Sequence, residues 1–544
     1  MKDTKKFYLV VGGIAIFVAI LPLLIHKIPM GFDFWYHIVR ISEISSGLQS
    51  GQFPVRITEN LINGYGYGTA LFYPDLFLYI PAMLNAVGLP LEIAVRIYMI
   101  LCVVGLFFTT YLCSKMIIKD KTISVGVACL VILAQYNICN MYVRSAIGEV
   151  QAMVFVPLVI YGFYNFIYEE FDKKHFLIIG FIGISYSHVI STFLTASIGA
   201  IWILLNLRKL NKKKIMQMVG CVAVVLFATI GFYFMLFEQQ LSGEFKYATA
   251  TSRVSSRALT VKQLFEFSYN AIGLNVIVPF FISIAVYITK KQHIKNAVGI
   301  GVMGLIIWFS ISNVFPWEWF NNTPANSIQF PWRLSSYATL YIALFVGLVA
   351  NKFVRRKQFG VTCLVAGLSA YALCIYVSPN INTVLNQGIK FINVTETYIE
   401  TLHTNYNVLM SAEWLPVSVE PHVQDFIESE PLITNDLGQS IDYTRVGIQI
   451  TTMHVDNWGE MMYIDVPLIY YKGYTATLGD VSLDVVANPE NGIVRVYLSD
   501  DLPSGQIFIT YGGTTVQKIS GLISTVTIIL YGLYLTKEVE KCIH

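Results

Sequence analysis

The feature that most constrains this chain is a succession of apolar runs, each about the length a helix needs to cross the hydrocarbon core of a bilayer. They fall at 7–26, 92–114, 122–140, 147–168, 175–190, 191–207, 215–237, 271–289, 295–312, 335–351, 359–378 and 517–536. A chain with so many such runs has lipid as its solvent. Only 13% of its 544 residues are charged, against about 25% in a soluble domain. The mean hydropathy is +0.59. A net charge of +3 supplies no basic surface for nucleic acid. The opening "MKDTKK" reads as the cytoplasmic flank of an uncleaved first helix, because no small-residue cleavage site follows the run.

Sidedness follows from the basic loops. Lys and Arg concentrate at 115–121, 172–174, 208–214, 290–295, 352–357 and 537–541, and at the N-terminus. Such loops stay in the cytosol. One further apolar stretch, 71–88, contains Pro74, Asp75, Pro81 and Asn85. Counting it as a span would put the Lys115–Lys121 loop outside and invert every later loop. Reading it as a re-entrant or interfacial hairpin, tolerable where protein covers it, keeps all seven clusters inside. The expectation is a multi-pass protein of about twelve spans with both termini cytoplasmic. None of the eight cysteines falls within 379–516. An exported segment without disulfides fits a bacterial plasma membrane. No Cys/His spacing resembles a zinc site.

With this topology the unusual polar clusters land on the outer face. In "GFDFWYH", Asp33, His37 and Arg40 stand at i, i+4 and i+7, one side of a helix. Asp33 can be an N-cap, although Tyr36 at the third following position gives no capping box. It can equally be a surface carboxylate that takes a proton from a hydroxyl, provided burial raises its pKa. In "LINGYGYGTALFYPDLFLYIPA", Tyr65 and Tyr67 belong to an aromatic belt or line a sugar or prenyl chain. Arg144 and Glu149 flank the outer start of a span, as a helix-fixing pair or as a second acidic group of a site. His188 sits at an outer turn, structural or catalytic. Arg333 follows Trp332 at another span start, as an interface anchor or a clamp for phosphate oxygens. Arg253 and Arg257 are weaker candidates. No P-loop, GxSxG, HExxH or EF-hand pattern occurs.

"GFDFWYHIVRISEISSGLQSGQFPVRI", with "GYGYGTALFYPDLFLYIPA" after it, resembles the first outer loop of bacterial YfhO-like and 6-pyruvoyl-tetrahydropterin-synthase-related membrane proteins, relatives of the GT-C glycosyltransferases. "RSAIGE", "SHVIST", "FPWR", "AEWLP" and "PLIYYKGYTA" resemble their later motifs. The resemblance implies a GT-C-like fold and transfer of a sugar from a polyprenyl-phosphate carrier to a glycan or glycolipid acceptor, with inversion. It matches Asp33 to the first-loop catalytic acid, Glu149 to the second-loop acidic position and Arg333 to a residue near the carrier phosphate. His37 would join the catalytic group; Arg144, Arg40, His188, Tyr65, Tyr67 and Trp332 would bind substrate or carrier. Some such enzymes use a divalent metal, magnesium or manganese, and others none. A cytosolic glycosyltransferase that loads the carrier is an implied partner. No WWDYG-like motif occurs, which argues against protein N-glycosylation. No three-histidine zinc pattern supports pterin chemistry.

Residues 379–516 change character. Strand patterns at 446–453, 461–471, 481–486, 492–499 and 506–511 alternate with "GYTATLGD" and "NPENG", read as turns. The expected organisation is a transmembrane catalytic domain at 1–378, with its first outer loop at 27–91. A β-rich, sandwich-like outer domain follows at 379–516, then a final span and cytoplasmic tail at 517–544. The rival reading is a secondary transporter or lipid-linked-sugar flippase, which predicts charged or broken spans and inverted repeats.

Overall fold

The computed structural model describes residues 2–25, 27–247, 253–377, 390–405, 409, 413–499 and 501–543. Each of the twelve expected spans is helical. Among the described residues, seven helices are long and apolar enough to cross a membrane, and the pair Lys121–Ile132 and Gln135–Arg144, bent by 45°, passes the same test together. The remaining four expected spans are shorter apolar helices: His175–Ser185, Val189–Leu204, Leu274–Lys290 and Ala297–Ser310. Length alone therefore supports seven or eight spans, and the count of twelve is not established. The stretch around Pro74 and Asp75 forms a 3-10 turn, Leu76–Leu78, and a helix of only eight residues, Tyr79–Ala86, too short to cross.

The chain divides into two compact units, each built from separated segments. The boundary expected at 378 lies among 378–389, outside the described residues. The first unit comprises 1–34, 96–225 and 249–393. Its helices pack through small residues, as expected where lipid gives no hydrophobic drive for association. A Cβ at Gly304 would meet Ile342 at 3.1 Å, and one at Gly180 would meet Val159 at 2.5 Å. Here also Ile28–Met30 (β1) pairs antiparallel with Lys390–Ile392 (β2).

The second unit comprises 35–95, 226–248 and 394–544. It holds two five-stranded antiparallel sheets. The first contains Ile433–Asn435 (β3), Ser440–Ile441 (β4), Tyr463–Ile469 (β7), Val485–Ala487 (β10) and Ile493–Tyr497 (β11), in the order β10-β11-β7-β3-β4. The second contains Tyr443–Val446 (β5), Gln449–Thr452 (β6), Tyr474–Leu478 (β8), Val481–Leu483 (β9) and Ile507–Tyr511 (β12), in the order β5-β6-β12-β8-β9. β8 corrects the sequence reading: "GYTATLGD" is a strand with Gly473 and Gly479, both at positive φ, beyond its ends. The turn glycines masked an alternation that buries Tyr474, Ala476 and Leu478.

First-loop residues fold with this β domain. Tyr65 stacks on Phe426 at 4.4 Å and 10°. The Tyr65 carbonyl accepts from Ile469 N at 2.8 Å, and the Tyr67 hydroxyl donates to the Glu413 carbonyl. Arg445 donates to the carbonyls of Gly64 at 2.5 Å and Glu59 at 2.7 Å. The Gly-Tyr stretch is thus a docking strip. Its conformation needs Gly66, at φ +82°, where a Cβ would lie 2.9 Å from the Thr58 carbonyl.

Candidate active site

Asp33 is placed by backbone bonds rather than by a helix. Gly31 N donates to Ser145 Oγ at 2.8 Å, Phe32 N to the Val143 carbonyl at 3.2 Å and Asp33 N to the Arg144 carbonyl at 2.8 Å. The strap fits only because residue 31 is glycine. A Cβ there would lie 2.5 Å from the Arg144 carbonyl carbon and from Ser145 N. Its partner segment, Asn140–Arg144, is a single π-helical turn ended by Ser145 in the left-handed region at φ 52°. Such turns recur at functional sites.

That turn aims Arg144 at Glu149. The guanidinium Nη1 lies 3.2 Å from Glu149 Oε2 and also donates to Asn140 Oδ1 at 2.6 Å and Tyr136 Oη at 3.1 Å. Glu149 Oε1 accepts from Tyr136 at 2.7 Å and Asn140 at 3.3 Å. Arg333 Nε stands 3.8 Å from Glu149 Oε2, while its Nη1 donates to the Ile328 carbonyl at 3.1 Å. The Arg144 guanidinium lies 4.3 Å from the centre of the Trp332 ring. Tyr136, Asn140, Arg144, Glu149 and Arg333 are all buried. A buried charge needs such pairing, and Glu149 is saturated by it.

Asp33 differs. It is half-buried, and among the described residues no hydrogen bond or ion pair reaches its carboxylate. Burial pushes the carboxyl up from its usual 3.8; the Arg144 and Arg333 guanidiniums oppose the rise and Glu149 adds to it. A carboxylate with free lone pairs and a raised pKa beside two fixed cations is equipped to accept a proton near a negatively charged group.

The structure thus brings together Asp33, Arg144, Glu149, Trp332 and Arg333. Asp33 immediately precedes the helix Phe34–Gln49, so it does not share a helix face with His37 and Arg40, which belong to the second unit. There Arg40 donates to the carbonyls of Tyr73 at 3.3 Å and Pro74 at 3.0 Å and lies over the rings of Tyr36 and Tyr73. His37 is buried beside Tyr36 and Tyr73. Burial, then Arg40, hold its imidazole well below the usual 6.5, which keeps it neutral. His188 caps the helix Val189–Leu204, its Nδ1 accepting from Ser191 N at 3.2 Å. Tyr136 and Asn140 were missed in the sequence. Their spacing from Arg144, i, i+4 and i+8, was the available signal.

The surroundings of Asp33 do not suit a divalent cation. Two guanidiniums flank the carboxylate, Glu149 has its oxygens occupied, and no group of three or more His, Cys, Asp or Glu gathers among the described residues.

Two solved structures overlap the chain in part. An arabinofuranosyltransferase, AftD, from mycobacteria aligns with a TM-score of 0.45 and 10% identity, over 68% of this chain and 26% of that one. An oligosaccharyltransferase from Archaeoglobus fulgidus aligns with a TM-score of 0.41 and 12% identity, over 72% and 54%. An uncharacterised protein of Lactococcus lactis subsp. cremoris (strain MG1363) is 24% identical over 342 residues, which cover 58% of this chain and 55% of that protein. The chain therefore spans about half the length of this curated relative. A family model described as a 6-pyruvoyl-tetrahydropterin synthase related domain, membrane protein, matches residues 71–384, more than half of the sequence. The chain belongs to this 6-pyruvoyl-tetrahydropterin synthase related family of membrane proteins.

Proposed function

We propose that the protein is a membrane glycosyltransferase that takes a sugar from a polyprenyl-phosphate carrier on the outer face of a bacterial plasma membrane. The acceptor is a glycan or glycolipid. Asp33 acts as general base on the acceptor hydroxyl. Arg333 and Arg144 supply positive charge where the carrier phosphate gains negative charge on leaving, the preorganised stabilisation that lowers such barriers most. Glu149 does not exchange protons in this scheme. It holds the two arginines in register, with Tyr136 and Asn140 completing its hydrogen bonds. Trp332 backs Arg144 from the ring face. In this reading Tyr65, Tyr67 and Arg40, which make contacts within the second unit, leave substrate binding to the groups around Asp33.

The observation that carries this reading is the contrast between a saturated Glu149 and an Asp33 whose carboxylate has no partner among the described residues. The test is release of carrier phosphate by purified protein supplied with polyprenyl-phosphate sugars. Asp33→Asn should lower turnover by about 100-fold or more, the usual contribution of a positioned base, while leaving the protein monodisperse. Wild-type turnover in Asp33→Asn overturns the assignment. The rival transport reading would use the buried charges Arg144, Glu149 and Arg333 as an ion pathway. Uptake of labelled carrier by proteoliposomes without any sugar transfer would favour it.

A further inference from the structure

A second feature lies in the first unit, among residues to which the proposed transfer reaction assigns no role. Three helices, Lys121–Ile132, Leu334–Phe353 and Lys357–Val377, leave an open groove of about 100 Å³ between them. Every side chain lining it is apolar, and small residues open it, among them Gly126, Ala350 and Gly360. Adding a Cβ at Gly126 would meet Val361 at 3.1 Å, so the helices approach closely at that end of the groove.

The groove runs up to the turn that joins two of these helices. Ala350, Val354 and Gly360 are part of its wall, and the residues between the last two include Arg355 and Arg356. Both arginines and Lys352 are exposed, as are Lys119 and Lys121 on the neighbouring turn. Lys357 is different: it is bound to Asp120 Oδ2 at 2.7 Å and to Asn351 Oδ1 at 2.6 Å. This arrangement, with Asn351 Nδ2 donating to the Ile118 carbonyl at 3.0 Å, ties the two turns together and fixes the rim. Lys352, Arg355 and Arg356 form no ion pair among the described residues. An apolar groove thus opens beside unneutralised cations.

We infer that this groove and its rim bind one anionic phospholipid of the leaflet facing the basic loops. An acyl chain lies along Gly126, Ala350 and Val354, and the phosphate meets Arg355 and Arg356. Charge complementarity selects the occupant. A zwitterionic lipid would fill the groove equally well but leaves the cations unmatched, whereas an anionic headgroup is attracted by each nearby Lys or Arg. Arginine forks suit phosphate oxygens. The inference does not depend on the proposed glycosyl transfer.

The test is native mass spectrometry of the full chain, released from nanodiscs that contain equal parts phosphatidylglycerol and phosphatidylcholine. One retained phosphatidylglycerol per chain is expected. Arg355→Gln with Arg356→Gln should lower the ratio of retained anionic to zwitterionic lipid by about tenfold or more. Ala350→Phe should remove the retained lipid of either kind by filling the slot. Gly360→Ala, a smaller intrusion, keeps that arm interpretable if the phenylalanine variant fails to fold, and should weaken retention several-fold. Equal retention of the two lipids by the wild type overturns the inference. So does an unchanged ratio in the double glutamine variant, or full retention in both groove variants.

Discussion

Both units bury a glutamate, and they neutralise it differently. Glu149, in the first unit, faces two arginines, Tyr136 and Asn140. Glu43, in the second unit and fully buried, accepts from Asn60 N at 2.9 Å and Asn60 Nδ2 at 3.0 Å. His403 Nε2 also lies 3.1 Å from Glu43 Oε1, but without hydrogen-bond alignment. One carboxylate is held by permanent cations and the other mainly by the amides of one neighbour. The arginine-rich site also serves Asp33, a carboxylate with a raised pKa and no bonded partner among the described residues; the amide-bound site ties the first-loop helix to Asn60. A fixed positive field suits chemistry on an anion. A neutral donor set suits architecture.

Substitutions can break this comparison, beginning with the largest effect. Glu149→Ala leaves Arg144 buried without its counter-charge and should destabilise the protein by about 3–5 kcal/mol, read as loss of monodisperse protein after extraction. Glu149→Gln should cost less and, if its role is positioning, still reduce turnover. Glu43→Ala strands two donors of Asn60 and should cost about 1–3 kcal/mol. His403→Ala should cost less than about 1 kcal/mol, since a partly exposed, unaligned pair contributes little. If thermal melting ranks His403→Ala above Glu43→Ala, the amide account of Glu43 fails.

Two smaller effects concern pH. Burial lowers the folded pKa of His37 below its unfolded value of 6.5. Its contribution to stability is therefore present above pH 6.5 and lost as pH falls from there toward the folded value. Melting temperature measured from pH 7.5 to pH 5 should fall less in His37→Gln than in the wild type. For Asp33 the sign is opposite. Its folded pKa is raised above 3.8, so the protonated folded form is favoured, and stability declines as pH climbs from 3.8 through the folded value. At neutral pH Asp33→Asn should raise the melting temperature slightly while reducing turnover. A fall in melting temperature would show that Asp33 stabilises the arginines more than burial penalises it.

Much of the helical architecture was legible because apolar length acts locally. Each expected span is helical, four of them short, and the Pro74–Asp75 stretch is broken into a 3-10 turn and a short helix. The fate of the first loop was less legible. Tyr65 and Tyr67 carry the composition of a ligand lining, yet the Tyr65 ring and carbonyl bind Phe426 and Ile469 and the Tyr67 hydroxyl donates to Glu413. Strand β8 was hidden behind Gly473 and Gly479, because turn residues next to a short strand look like a turn. At the site, Asp33, Arg144, Glu149 and Arg333 stood out as rare charges beside apolar runs. Tyr136 and Asn140 did not, since Tyr and Asn are ordinary at helix ends.

By itself the sequence determined that this chain lives in lipid, where its helices run, and which few charges must be accounted for. A spanning run and a buried charge carry costs too large to be hidden by context. The tertiary structure alone decided which charge is saturated and which is bare. That depends on a π-helical turn at 140–144 and on a glycine at position 31, which together set Asp33 beside Arg144 across more than a hundred residues of chain. Hydrogen-bond saturation is a property of geometry, and local residue type does not encode it.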